Sequence, residues 1–248
     1  MKARAATTAE RPAFYALAPG GWRDVVTLLH PPYTAWHLSY VAIGAAMAPT
    51  LYAGRLAAAL AAFFLAVGIA AHALDELHGR PLRTGFSDRM LIALAGLSLA
   101  GATAIGVYGA VTVSATLIPF TAVGVFLVLA YDLEWFSGRF HTDFWFATGW
   151  GAFPAATGFW SNALSIRAAG VAAVAACFAL SVAQRRLSSP VRELRRRTLS
   201  VSGEQRLRDG RVIPLDAARL AAPLDGALAA CALAVTLLAV ALVFLRLG

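Results

Sequence analysis

The chain has 248 residues, 59% of them hydrophobic and only 14% charged, with a mean hydropathy of +0.68. A soluble domain holds about 45–50% apolar and about 25% charged residues, so this composition excludes an ordinary soluble enzyme and points to an integral membrane protein. The net charge of +8 comes from 21 basic against 13 acidic residues, 20 of the basic ones being arginine. In a membrane protein the location of those arginines matters more than their sum. Cys177 and Cys231 both fall in apolar runs and read as buried free thiols rather than a disulfide or metal pair.

Residues 1–31 form a mixed polar tail carrying Lys2, Arg4, Arg11 and Arg23. Its length before the first apolar run argues against a cleavable signal peptide, and that run is long enough to span and be retained. The stretch 22–29 reads as interfacial, and His30-Pro31-Pro32 then breaks the chain and starts a helix. Apolar spans come next at about 33–52, 55–78, 88–108, 111–135, 142–160, 166–183 and 223–245. Each is roughly 20 residues, as a hydrocarbon core near 30 Å requires. The expectation is an all-α integral membrane bundle of about seven helices. Residues 1–31 would be the tail, 32–183 the first six spans with the site, 184–222 a basic loop, and 223–248 the last span.

Orientation is set by the loops. The tail, the second-to-third loop (Arg80, Arg83, Arg89), the fourth-to-fifth loop (Arg139) and the loop 184–222 share one side, which is then cytosolic. The N-terminus is expected inside and the C-terminus outside, in the cytoplasmic membrane of a bacterium or archaeon. Between Arg185 and Arg219 lie ten arginines against four acids. Val191, Leu194 and Leu199 near Arg192, Arg195, Arg196 and Arg197 read as a short helix lying on anionic lipid, a lipid contact and topology signal rather than a substrate or nucleic-acid site. Asp209-Gly210 between Arg206-Leu207-Arg208 and Arg211-Val212-Ile213 is a hairpin signal.

The informative stretch is Ala71-His72-Ala73-Leu74-Asp75-Glu76-Leu77-His78-Gly79-Arg80, at the end of the second span. An Asp costs about 2.5–3.5 kcal/mol at the centre of a span, so ionisable groups on such a helix need partners or a task. His72, Asp75 and Glu76 share a helix face, with His78 one turn beyond Asp75. Asp132, Glu134, His141 and Asp143 flank the loop after span four, in a loose echo of the first motif that suggests a pseudo-repeat with a site between the repeats. Span parity brings all five histidines (His30, His37, His72, His78, His141) and these acids to one layer, where His30 reads as a bystander.

Carboxylates suit a hard cation such as Mg²⁺, and added imidazoles shift the preference to Zn, Fe or Mn. His72, Asp75, Glu76, His78, Asp132, Glu134, His141 and Asp143 are the candidate metal ligands, with Asp75, Asp132 and Asp143 the candidate catalytic acids. Arg80, Arg83 and Arg139 lie just beyond them, and arginine suits bidentate phosphate recognition. Mid-span Trp150 and Phe153 are candidates to line an apolar cleft. Trp145 and Trp160 fit interfacial belts, Tyr33, Trp36 and Tyr40 fit helix packing, and Gly149, Gly151 and Gly158 permit close helix approach.

These motifs resemble the UbiA-type intramembrane prenyltransferase superfamily. Leu29-His30-Pro31-Pro32-Tyr33-Thr34 is similar to the family's start of helix one. Ala71 through Gly79 occupies the place of its Asn-Asp-x-x-Asp-x-x-x-Asp motif, and Tyr131-Asp132-Leu133-Glu134 through Asp143 resembles its second acidic motif. Asp75 stands as the family has it, whereas Ala71 replaces the Asn, His72 the first Asp and Gly79 the last. The resemblance implies a bundle of helices around a lipid-open cleft, with Mg²⁺ on the acidic motifs holding an isoprenoid diphosphate. The expected function is therefore prenyl transfer, or terpene cyclisation without an acceptor, on an isoprenoid or related lipid. A His/carboxylate oxidase or hydrolase acting on a membrane lipid or quinone, and a non-catalytic lipid-binding subunit, are the alternatives. The sequence names no protein partner.

Overall fold

A computed structural model describes residues 11–248, so Lys2 and Arg4 lie outside the described residues. Helix α1 runs Trp22–Leu28, α2 Pro31–Ala46, α3 Ala53–Leu77, α4 Asp88–Thr112, α5 Ala115–Asp132, α6 residues 143–163, α7 Ala168–Arg196 and α8 Ala217–Leu247. The strands β1 (Glu204–Arg206) and β2 (Val212–Pro214) pair antiparallel between α7 and α8, with Arg206 opposite Val212. The Asp209-Gly210 turn is thus the hairpin that its sequence announces, Gly210 taking φ +85°.

Five helices among the described residues are long and apolar enough to cross a membrane: α3, α4, α5, α7 and α8. Helix α2 has 16 residues, about 24 Å at 1.5 Å per residue, and does not meet that length. It is the hub instead. Eleven of its residues are buried, and it packs along α6 on one side and α8 on the other. The α2–α6 approach is backbone on backbone. A Cβ on Gly44 would stand 2.0 Å from the Ala155 carbonyl oxygen, and one on Gly158 would stand 2.1 Å from that of Val41. Only glycine allows that contact, and it draws the helix bearing Trp150 against the one bearing His37. Trp36 and Tyr40 are wholly buried, with the indole N–H donating to the phenol at 2.5 Å, so their helical spacing is packing, as the sequence implies.

Two helices loosen into π turns where they reach the site. In α3 the turn covers Phe64–Ala71 and delivers His72, and in α6 it covers Thr148–Ala152 and contains Trp150. An inserted residue of this kind rotates the rest of the helix beyond it and recurs at functional sites. Helix α7 corrects the sequence reading. It does not stop at residue 183 to let a separate helix lie on lipid, but continues unbroken to Arg196 through Pro190. Its basic turn is thereby aimed by the bundle.

Candidate functional site

The starts of α2, α4, α6 and α8 and the ends of α3, α5 and α7 meet at one end of the bundle. A cavity of about 500 Å³ opens there, and all five histidines line it. Asp75, His72 and His78 reach it from α3 and the turn after it, Asp132 from α5, Glu134 and His141 from the loop before α6, and Asp225 from α8. Side chains from separate helix ends therefore do face a common hollow.

The imidazoles are held in a defined sense. Carbonyls only accept, so His30 donates its Nδ1 proton to Leu28 at 2.8 Å, His72 to Gly68 at 3.1 Å and His141 to Tyr131 at 3.1 Å. Each leaves its Nε2 without a hydrogen-bond partner among the described residues. His30 and His72 stack with ring centroids 3.9 Å apart, and His141 stacks on Tyr131 at 4.4 Å. Two stacked rings cannot both carry charge cheaply. Burial accordingly lowers the His30 pKa to about 4. His30, expected to be a bystander, is part of the wall. His37 faces Gln184 of α7, with its Nε2 3.3 Å from the amide oxygen, and its Nδ1 is buried without a partner among the described residues. Asp132 Oδ2 is in the same state. A buried polar atom left unpaired is costly, and in a cavity it marks a place for something polar.

Several expected residues are elsewhere. Glu76 is wholly buried but turned away from the cavity. Its carboxylate accepts from the Leu82 N–H (2.9 Å), the Thr84 N–H (2.8 Å) and the Thr84 hydroxyl (2.9 Å), and so folds the loop after α3 back on itself. Asp143 begins α6 on its outer face and pairs with Arg185 at 2.6 Å, leaving its side chain 70% exposed. The three loop arginines do not line the cavity. Arg80 is engaged with Asp88 and with the Phe86 carbonyl at 2.5 Å, and Arg83 and Arg139 are exposed.

Among the described residues, the guanidinium groups at the cavity are those of Arg185, Arg192, Arg195 and Arg196 on α7 and of Arg197 just after it. Residues 185, 188, 189, 192 and 196 recur at helical spacing once α7 is one helix, and that spacing was the available signal. Arg195 is neutralised by a two-pronged contact to Asp225, at 3.0 and 2.5 Å. The chain before α1 also lines the hollow. Phe14 and Tyr15 pack on Tyr33 (6.1 and 5.5 Å), and Tyr15 on His30 (5.2 Å).

Among the described residues, no three or more His, Cys, Asp or Glu side chains are grouped so as to hold a metal ion. The acids and imidazoles are spread around the wall, a donor set that does not fit a metal gripped by protein ligands alone.

The cavity floor is aromatic. Tyr131, Phe146 and Trp150 pack together, with centroids 4.4 Å (Tyr131–Trp150) and 5.9 Å (Phe146–Trp150) apart. Beyond Trp150 lies a second space, a groove of about 370 Å³ between α3, α4, α5 and α6. Its walls are apolar: Phe63, Val67, Val128, Phe120 and Phe153 among them. Trp150 lines both spaces, so the polar hollow and the apolar groove share one wall. Phe153 lines the groove, as expected of a cleft residue.

No family model matches the chain, and no curated protein or solved structure matches it either.

Proposed function

We propose that this membrane protein is an enzyme of the prenyltransferase kind, acting on an amphiphile with an anionic head and an apolar, isoprenoid-like tail. The observation that carries this reading is the pair of spaces meeting at Trp150, one polar and lined by arginine, imidazole and carboxylate, the other apolar and set among the span-length helices. An apolar groove joined to a small number of placed polar groups is the general form of a site for such a ligand. The head would sit in the hollow, facing the cytosol if the arginine-rich end lies inside, and the tail in the groove.

Bound there, the reacting carbon at the head–tail junction would lie against the Tyr131, Phe146 and Trp150 rings. Their faces stabilise positive charge developing as the anionic group departs. Guanidinium groups on α7 would meet the departing charge, and Asp132 and His37 offer unpaired acceptors to the proton of an attacking hydroxyl or amine. The divalent metal implied by the family resemblance would supply Lewis-acid help, but no preassembled donor set supports routing a step through it. The His/carboxylate metalloenzyme reading loses support for the same reason.

The test is product formation by purified protein in nanodiscs. With farnesyl diphosphate and a panel of hydroxylated acceptors, pyrophosphate release should occur and should fall at least roughly a hundredfold in Asp132→Asn. Binding of the lipid without any release, in the wild type, would leave a lipid-binding protein and end the transferase reading.

A further inference from the structure

The geometry points to an oxyanion cradle on the inner face of α7, centred on Arg192 with Arg196, Ser188 and Ser189, that holds a phosphate or diphosphate group without a metal ion. The cradle rests on the proposed function and deepens it by naming the groups that grip the head, yet it can be tested without any tail.

The distribution of positive charge singles out this face. Of the guanidinium groups on the cavity wall, Arg185 is engaged by Asp143 at 2.6 Å and Arg195 by Asp225. Among the described residues, Arg192 and Arg196 on α7 and the exposed Arg197 just after it have no carboxylate within salt-bridge distance. Among the described residues, the one side-chain hydrogen bond of Arg192 is its Nη2 donating to Ser189 Oγ at 3.4 Å. Arg192 is only half exposed, one turn from Ser188, whose hydroxyl also lines the hollow. A guanidinium held away from bulk water with no counter-charge is unfavourable on its own. It becomes favourable when a planar, multiply accepting anion arrives, since its fork matches two oxygens at once.

The surroundings supply further donors and few competitors. Tyr15 and Tyr33 stand within electrostatic reach of Arg192. Burial holds the Tyr15 phenol well above its usual value, so its hydroxyl stays protonated and can donate to an anion. Of the carboxylates lining the hollow, Asp75, Asp132 and Glu134 come from α3, α5 and the loop before α6, Asp225 of α8 is taken by Arg195, and Glu193 alone stands on α7, so the α7 side carries the excess of positive charge. An anion therefore has one wall to choose. The arginines expected from the sequence to do this, Arg80, Arg83 and Arg139, are outside it.

The probe is inorganic pyrophosphate, titrated calorimetrically into the full chain in nanodiscs of neutral lipid with excess EDTA. Saturable binding is expected, weakened at least roughly tenfold by Arg192→Gln and further by the double change R192Q/R196Q. Arg192→Lys should recover only part, because a point charge replaces a fork. Unchanged thermal unfolding of R192Q would certify that the fold survives. Should it fall, the R192Q titration is replaced by the wild type against Arg196→Gln alone, with the same weakening expected. Binding that appears only when Mg²⁺ replaces EDTA, or that R192Q/R196Q leaves intact, overturns the cradle.

A second arm compares pyrophosphate with farnesyl diphosphate, and with vesicles of anionic lipid. Tighter capture of the tailed diphosphate, abolished by the same variants, supports a lipid head as the natural occupant. Equal capture of both supports a free phosphate compound. Attraction to anionic vesicles with no pyrophosphate binding would overturn the proposal in favour of surface attachment. Pyrophosphate binding without lipid turnover would sink the transferase reading and leave the cradle. Turnover indifferent to Arg192 would do the reverse.

Discussion

Glu76 and Asp132 sit at the same end of the bundle, each near the last turn of a span-length helix and each buried, at 0% and 8% exposure. Their uses are opposite. Glu76 accepts three hydrogen bonds from residues 82 and 84, and every one of them serves the fold of a loop. Asp132 keeps a buried oxygen without any partner among the described residues, on the wall of the cavity. A carboxylate with its acceptors filled stabilises, whereas one with an empty acceptor is held at a cost by the structure around it. Burial alone does not separate these two acids; the count of satisfied lone pairs does.

The contrast is broken most forcefully at Glu76. Glu76→Ala strands two buried backbone N–H groups and the Thr84 hydroxyl, each lost bond costing about 1–3 kcal/mol. The unfolding free energy should fall by about 4 kcal/mol, measured by denaturant or thermal unfolding in detergent. The loop carrying Leu82, which packs on Ala13 and Ala16 of the N-terminal segment, should loosen with it. A drop below about 1 kcal/mol would make Glu76 as dispensable as a surface acid.

His30 sharpens the comparison from the basic side. Its Nδ1–H is satisfied by Leu28, its ring is stacked on His72, and Tyr15, His37, Arg192 and Arg196 surround it. Its folded pKa, about 4, lies below its unfolded value near 6.5, so the unfolded chain binds the extra proton first. The stabilisation is complete above about pH 6.5 and is lost as pH falls toward 4, amounting to about 2–3 kcal/mol. His30→Asn, which tolerates the left-handed backbone at φ +46°, should flatten that part of the stability-against-pH curve. An unchanged slope between pH 6.5 and 4 would show that other groups set it.

How far the sequence reaches depends on the kind of information each residue needs. The meeting of His72, Asp75, Asp132 and His141 is legible because alternating spans must return to the same side, whatever the side chains are. Glu76 is not, because helical spacing puts it on the His72 face and only the fold of residues 79–85 claims its oxygens. The α7 arginines are hidden because the apolar run stops at residue 183, ahead of Gln184-Arg185-Arg186 and of Pro190. Proline in a helix interior costs about 3 kcal/mol and frees the carbonyl four residues earlier, which sets the basic run apart from span six in the sequence. Here that carbonyl belongs to exposed Arg186 near the helix end, where water can satisfy it. The groove is half legible: mid-span position marks Trp150 and Phe153, but the π turn that points Trp150 at both spaces leaves no trace in the hydropathy pattern.

Asp132→Asn is the counterpart of the Glu76 change. Replacing a buried carboxyl oxygen that has no partner among the described residues should leave unfolding within about 1 kcal/mol of wild type. Lipid diphosphate turnover, followed as pyrophosphate release, should nevertheless fall roughly a hundredfold. Loss of stability comparable to Glu76→Ala would mean that Asp132 is another structural acid, and the comparison would collapse.

The smallest effect is expected at Arg80. Its contact to Asp88 is partly in water, with side chains 35% and 72% exposed, and such pairs contribute about 0–1 kcal/mol. The contact to the Phe86 carbonyl at 2.5 Å adds a second tie to the loop that Glu76 already organises. Arg80→Gln should therefore shift unfolding by less than about 1 kcal/mol and leave pyrophosphate binding unchanged, in contrast to Arg192→Gln. Both residues carry the same side chain at the same end of the molecule, so equal loss at the two positions would mean that bulk positive charge, and not the α7 face, attracts the anion.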